Sequence, residues 1–102
     1  MLREFFLGFI KIHILYHAAK EEVYGVQLID EIKRHGYNIS PGTLYPTLHR
    51  LTQREYLKVI SKNVNGKIRK YYSITPKGKL ALEEAKKKIK ELIKEVLEDI
   101  AQ

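Results

Sequence analysis

The sequence predicts a mostly α-helical chain carrying a small β-hairpin, and three observations predict it. Two helix starts are written the same way, a hydroxyl residue followed by proline, at Ser40-Pro41 and Thr75-Pro76. Asn65-Gly66 lies between two runs of alternating apolar residues, a strong sign of a two-residue hairpin turn. Leu82, Ala85, Ile89, Leu92 and Val96 then step by three and four, the seam of a coiled coil.

At 102 residues the chain suits one domain. A chain of this size buries roughly two thirds of its unfolded surface, which leaves a modest core. There is no cysteine, so disulfides, thiolate chemistry and a cysteine-ligated zinc are excluded. The longest uncharged runs, 5–10 and 12–19, are broken by Lys11 and fall short of the ~20 apolar residues that a membrane span needs. No cleavable leader is visible, and a cytoplasmic protein without a membrane is expected. The net charge of +7 favours polyanions only weakly until its distribution is read. Residues 56–74 hold Lys58, Lys62, Lys67, Arg69 and Lys70 with no acid, so five of the seven excess charges sit in that segment.

Residues 2–20 carry apolar side chains on more than one face, among them Phe5, Phe9, Ile10, Ile14 and Leu15. A helix apolar nearly all round must bury more than one side, so this one is expected to pack partly against another subunit. His13 and His17 lie four apart on one face, but the sequence offers no third ligand nearby. They are read as packing residues, and no metal or other cofactor is expected. A second helix is predicted from about Tyr24 to His35, with Val26, Leu28, Ile29 and Ile32 inside and Gly36 as its C-cap.

A short connection, Gly36 to Ile39, leads to Ser40, which is expected to cap the next helix while Pro41 occupies its first position. Leu44, Leu48 and Leu51 form its inner stripe, leaving Gly42, Thr43, Pro46, His49, Arg50 and Gln53 outside. Pro46 forfeits one intrahelical bond on the side that water or a ligand can reach. Two helices joined by a turn, the second polar outside, match a helix-turn-helix.

After Tyr56 the period changes to two, with Leu57 and Val59 before the Asn65-Gly66 turn and Ile68, Tyr72 and Ile74 after it. Lys67, Arg69 and Lys70 then project from the tip and one strand, where they can straddle a phosphate backbone; the plainer alternative is an edge strand guarded by lysines. From Thr75-Pro76 a last helix is expected to run to about Ile100, its seam widened by Ile93, Leu97 and Ile100. Lys86 to Lys88, beside several glutamates, form a solvated face. Helices 1 and 4 together carry more apolar surface than their mutual packing hides, so a homodimer is expected through Phe5, Phe9, Leu82, Ala85, Ile89, Leu92 and Val96.

Three blocks, Tyr24-Gly25-Val26-Gln27-Leu28, Ser40 to Pro46 with Leu48, Arg50 and Leu51, and Arg69 to Gly78, resemble the PadR family of transcriptional regulators in order and spacing. The likeness covers roughly residues 5–80, and the tail is similar to the family's short branch with a single C-terminal helix. It implies a winged helix-turn-helix over residues 1–74, with 1–20 also contributing to the dimer, followed by a dimerisation helix over 75–102. The recognition helix would start near Ser40 and the wing would be Val59–Tyr72. Small hydrophobic or aromatic effectors act on some members, in one type between tryptophans at the dimer centre. This chain has no tryptophan, so that pocket does not carry over. His49 stands where many members have lysine.

The function expected is a homodimeric, sequence-specific regulator, a repressor, on a palindromic stretch of double-stranded DNA. Thr43, Pro46, Thr47 and Arg50 are expected nearest the bases, with Ser40 and Tyr45 on phosphates and Lys67, Arg69 and Lys70 supplying charge. Two other readings stay open: an architectural protein coating DNA with little sequence preference, and a winged-helix module that senses a ligand or docks a protein. No catalytic constellation of serine, histidine and acid, metal or phosphate loop is visible, so an enzyme is not expected.

Overall fold

The computed structural model describes residues 1–98. The helix at the amino terminus, α1 (Leu2–Lys20), turns its Ile10, Ile14, Leu15 and Ala18 inward. A two-residue strand, β1 (Val23–Tyr24), leads into α2 (Gly25–Arg34), and α3 (Pro41–Gln53) follows. The hairpin is β2 (Leu57–Val64) and β3 (Lys67–Ile74), and α4 (Pro76–Leu92) closes the order.

The core forms where α1, α2 and α3 meet the base of the sheet. Ile14, Leu28, Ile32, Leu44 and Leu48 are wholly buried, with Leu57, Tyr72 and Ile74 contributed by the strands. The leucine stripe of α3 therefore faces inward as its spacing predicts. The turn between β2 and β3 has positive φ at both Asn65 (53°) and Gly66 (82°), as a two-residue turn matched to strand twist requires. Asn63 Oδ1 accepts the Gly66 N–H at 3.0 Å and braces it.

The sheet has three strands in the order β1-β3-β2, all antiparallel, rather than the hairpin alone. Val23 pairs with Tyr72 and Tyr24 with Tyr71, so α2 starts one residue later than its periodicity indicates. Two residues carry no alternation long enough to read, and only the edge of β3 makes them a strand. Gly36, with φ of 88°, ends α2 by donating its N–H to Lys33 O at 3.0 Å.

The tail departs from one continuous seam. Beyond α4 the backbone opens into a π-helical turn, Ile93–Leu97, closed by the Glu98 N–H on Ile93 O at 3.0 Å. The extra residue in that turn rotates Val96 and Leu97 away from the line through Ala85, Ile89 and Leu92. Ile100 lies outside the described residues. Leu82, expected at the dimer seam, is 5% exposed and belongs to the core of the single chain. An apolar groove remains between α1 and α4, lined by Phe5, Gly8, Phe9, Ile12, Ile89 and Leu92. Phe5 and Leu92 there are 50% and 52% exposed. The described chain measures 60 × 29 × 20 Å, and all of residues 91–98 are exposed.

Candidate nucleic-acid interface

α3 presents its outer face because its inner one is committed. Leu44, Leu48 and Leu51 hold it in the core, and Ser40, Pro46, His49 and Arg50 are exposed, with Thr43 partly so. Thr47 is a correction. It is 0% exposed, and its hydroxyl donates to Thr43 O at 2.7 Å, so it faces the core and cannot reach a base. Its spacing carried the sign, since 44, 47, 48 and 51 make one helical stripe, but its polar type points the other way.

Ser40 differs from expectation too. It stands at the N-cap position of α3, yet its hydroxyl caps no backbone N–H and lies 3.5 Å from the Thr43 hydroxyl. The Thr43 N–H turns to Ser40 O instead, at 3.0 Å. Pro41 has no N–H and the Leu44 N–H also reaches Ser40 O, so Gly42 is left with the one first-turn N–H that has no intrahelical acceptor, beside an exposed serine.

Tyr45, 44% exposed, reaches sideways from α3 to α2. Its ring occupies the space a Cβ on Gly25 would take, the ring carbons Cε1 and Cζ being 2.6 Å from that point, so a larger residue there would push the ring aside. Burial, and behind it the nearby Tyr45, pushes the Tyr72 phenol above its ordinary range, which keeps it neutral.

On the hairpin, Lys67, Arg69 and Lys70 are all exposed. A cavity of about 430 Å³ joins Arg69 and Lys70 to Tyr24, Gly25 and Tyr45, bringing part of the expected wing against part of α3. Lys67, beside the turn, is not among its lining residues. Arg69 and Lys62 are paired across β2 and β3, an arrangement that like charges oppose. It is relieved because Lys62 pairs with the Glu22 carboxylate and leans on the Tyr71 ring at 4.7 Å. The acid-free segment therefore does meet an acid from outside itself. Sequence reasoning missed Glu22, Tyr24 and Tyr71 as parts of this surface, because nothing local marks β1 as the third strand.

His13 and His17 gain a third neighbour in His35, at the end of α2. The ring of His35 stacks on His13 at 4.5 Å and lies 6.3 Å from His17. Burial, then the charges of His35 and His17, hold His13 below its ordinary value. Burial does the same for His17; Glu31 opposes it, while His35 and Lys20 add to it. Nδ1 of His13 and Nε2 of His17 are buried without a hydrogen-bond partner. Among the described residues no group of three or more ligating side chains is arranged to hold a metal ion, and no helix is long and apolar enough to cross a membrane.

A sequence model of the transcriptional regulator PadR-like family matches residues 14–84. The transcriptional regulator Rv3488 of Mycobacterium tuberculosis is 48% identical over 96 residues, covering 94% of this chain and 90% of that protein. The crystal structure of a PadR family transcriptional regulator from Eggerthella lenta superposes with a TM-score of 0.84 at 31% identity, over 96% of this chain and 87% of that one. A PadR-like transcription factor from Bacteroides fragilis gives a TM-score of 0.82 at 31% identity, with 94% of each chain covered.

Proposed function

Because the chain belongs to the PadR-like family of transcriptional regulators, which bind DNA, we propose that it acts as a homodimeric repressor in the cytoplasm, reading a palindromic operator. The observation that carries this reading is an exposed α3 face, set on a buried leucine stripe, beside a cationic hairpin.

Residues 1–74 form the DNA-reading part and the segment from 75 onward the dimerisation part, with α1 shared between the two. α3 enters the major groove, where the Arg50 fork suits a guanine edge and Thr43 and Pro46 suit thymine methyls. Ser40 and Tyr45 take phosphates. Lys67, Arg69 and Lys70 add charge and register, not sequence choice. The second copy covers the groove of Phe5, Phe9, Ile89 and Leu92, together with Ala85, since apolar side chains so exposed on a small protein gain by burial. The π-helical turn leaves Val96 to meet the partner from a different angle. Two-fold symmetry places half-sites one helical turn apart, ~34–36 Å.

Selection of bound duplexes from a random-sequence pool at near-physiological salt tests the reading. A recovered palindrome supports it. Salt-dependent retention that enriches no sequence replaces it with an architectural role, and no retention even at low salt removes DNA from the account.

A further inference from the structure

Two cations stand over two tyrosine rings where β1 meets β3, and among the described residues one of them has a carboxylate partner while the other has none. Tyr24 and Tyr71 face each other across the strand pair, their rings edge to face at 5.5 Å. Lys62 leans on Tyr71 and is neutralised by Glu22. The Arg69 guanidinium lies 4.2 Å from the Tyr24 ring centre, and no ion pair involving Arg69 occurs among the described residues.

A guanidinium held against a ring is fixed in orientation while its fork of N–H donors remains free, the geometry that takes two oxygens of a phosphate at once. Arg69 lines the cavity of about 430 Å³ between the hairpin and α3, with Lys70 beside it and Tyr45 and Gly25 on the helical side. Gly25 is what admits the Tyr45 ring to that side. A single anion held there would touch hairpin and helix together.

We propose that Arg69 and Tyr45 form a seat for one phosphodiester of duplex DNA, and that Tyr24, whose ring lines the same cavity, is its positioning residue and orients the guanidinium. This rests on the DNA-binding reading above and adds to it a defined contact and a residue outside the expected set. A phosphate in this seat fixes the angle at which α3 lies in the groove relative to the wing. Lys62, neutralised in place, contributes no such contact.

The test is binding of a mixed-sequence duplex of about three helical turns (~30 bp), measured against salt. Arg69→Ala should weaken binding roughly tenfold and flatten the salt slope by about one unit. Tyr24→Leu should reproduce most of both changes and Tyr24→Phe neither. Tyr24→Leu should add nothing in the Arg69→Ala background, yet add fully to Lys70→Ala. Arg69→Lys, on an exposed strand position that leaves the fold untouched, should lose nearly as much as Arg69→Ala, since it keeps the charge and loses the fork. Full additivity of Tyr24→Leu with Arg69→Ala, or wild-type binding by Arg69→Lys, overturns the seat while the DNA-binding reading stands. No retention of the duplex by the wild type overturns both.

Discussion

The two helices that begin with a hydroxyl residue and proline begin very differently. At α4, Thr75 Oγ1 accepts the Gly78 N–H at 3.0 Å and donates to Glu55 O, and the Thr75 N–H reaches Tyr56 O at 3.1 Å. Lys77 adds a bond to Arg54 O at 3.0 Å. At α3, Ser40 makes no side-chain cap, and the outer first turn faces away from the core. The same two-residue signal thus marks one start that is tied into the protein and one that is left open. A side-chain cap ties the start of a helix down; an exposed start without one leaves the Gly42 N–H and the positive end of the helix dipole toward an outside anion. The start that organises the fold is α4, and the start that the proposed function uses is α3.

The largest expected effect tests how tightly the α4 start is seated. Gly78 packs onto the turn after α3, where an added Cβ would collide with the Tyr56 carbonyl oxygen and lie 2.7 Å from Ile74 Cγ1. Backbone cannot give way as a side-chain tip can. Gly78→Ala should therefore cost about 3 kcal/mol, the upper end for overpacking, and lower Tm by more than ~10 °C in a domain of this size. A thermal midpoint within a few degrees of wild type, measured at equal protein concentration, would mean that α4 is not pinned there.

The second effect sets the two hydroxyls side by side. Thr75→Ala removes a cap and a bond to Glu55 O, and should cost about 1–2 kcal/mol. Ser40→Ala removes no bond to a backbone N–H, and should cost under ~0.5 kcal/mol. Chemical denaturation of both variants checks this. Equal losses would show that Ser40 caps α3 in solution after all, and the contrast between the two starts would disappear.

Much of this was legible in the sequence, because it is written in short-range periodicity. The Asn65-Gly66 turn, the leucines of α3, both prolines at helix starts and the span of α1 follow from spacing and residue type alone. Among the site residues, Arg50, Pro46 and the hairpin cations are exposed because nothing in the pattern asks them to be otherwise. What was not legible depends on contacts across the chain. Glu55 takes a left-handed φ of 65° at the end of α3, a place where glycine usually marks the turn and here does not. Glu22 finds Lys62 forty residues away, and Tyr24 becomes a platform for Arg69 only once β1 has joined β3. The π-helical turn is hidden for another reason: the apolar spacing runs on through Leu92 and Val96 while the hydrogen bonding changes beneath it.

The smallest expected effect concerns the approach to α3, and pH isolates it. His35 ends α2 just before the Gly36 turn, stacked on His13 with His17 close by, whereas no histidine belongs to the Arg54–Tyr56 seat of α4. The groups facing the pair are His35 and Glu31 from α2, Lys20 and the Tyr16 ring from α1, and the Tyr37 ring. His13 and His17 are held below the ordinary value of 6.5, so as pH falls the unfolded chain takes up protons first. Stability is then complete above about pH 6.5 and declines as pH drops below it toward the lowered folded values. Both side chains are partly exposed, so the decline should be smaller than the Thr75→Ala loss. Thermal midpoints between pH 7.5 and 5.5 should fall in the wild type, and fall less in His13→Gln/His17→Gln. Thr75→Ala should lower the midpoint by the same amount at both pH values, because its seat holds no group of this kind. An undiminished slope in the double variant would place the acid sensitivity elsewhere, and a Thr75→Ala effect that varied with pH would mean that the two helix starts are coupled through the core.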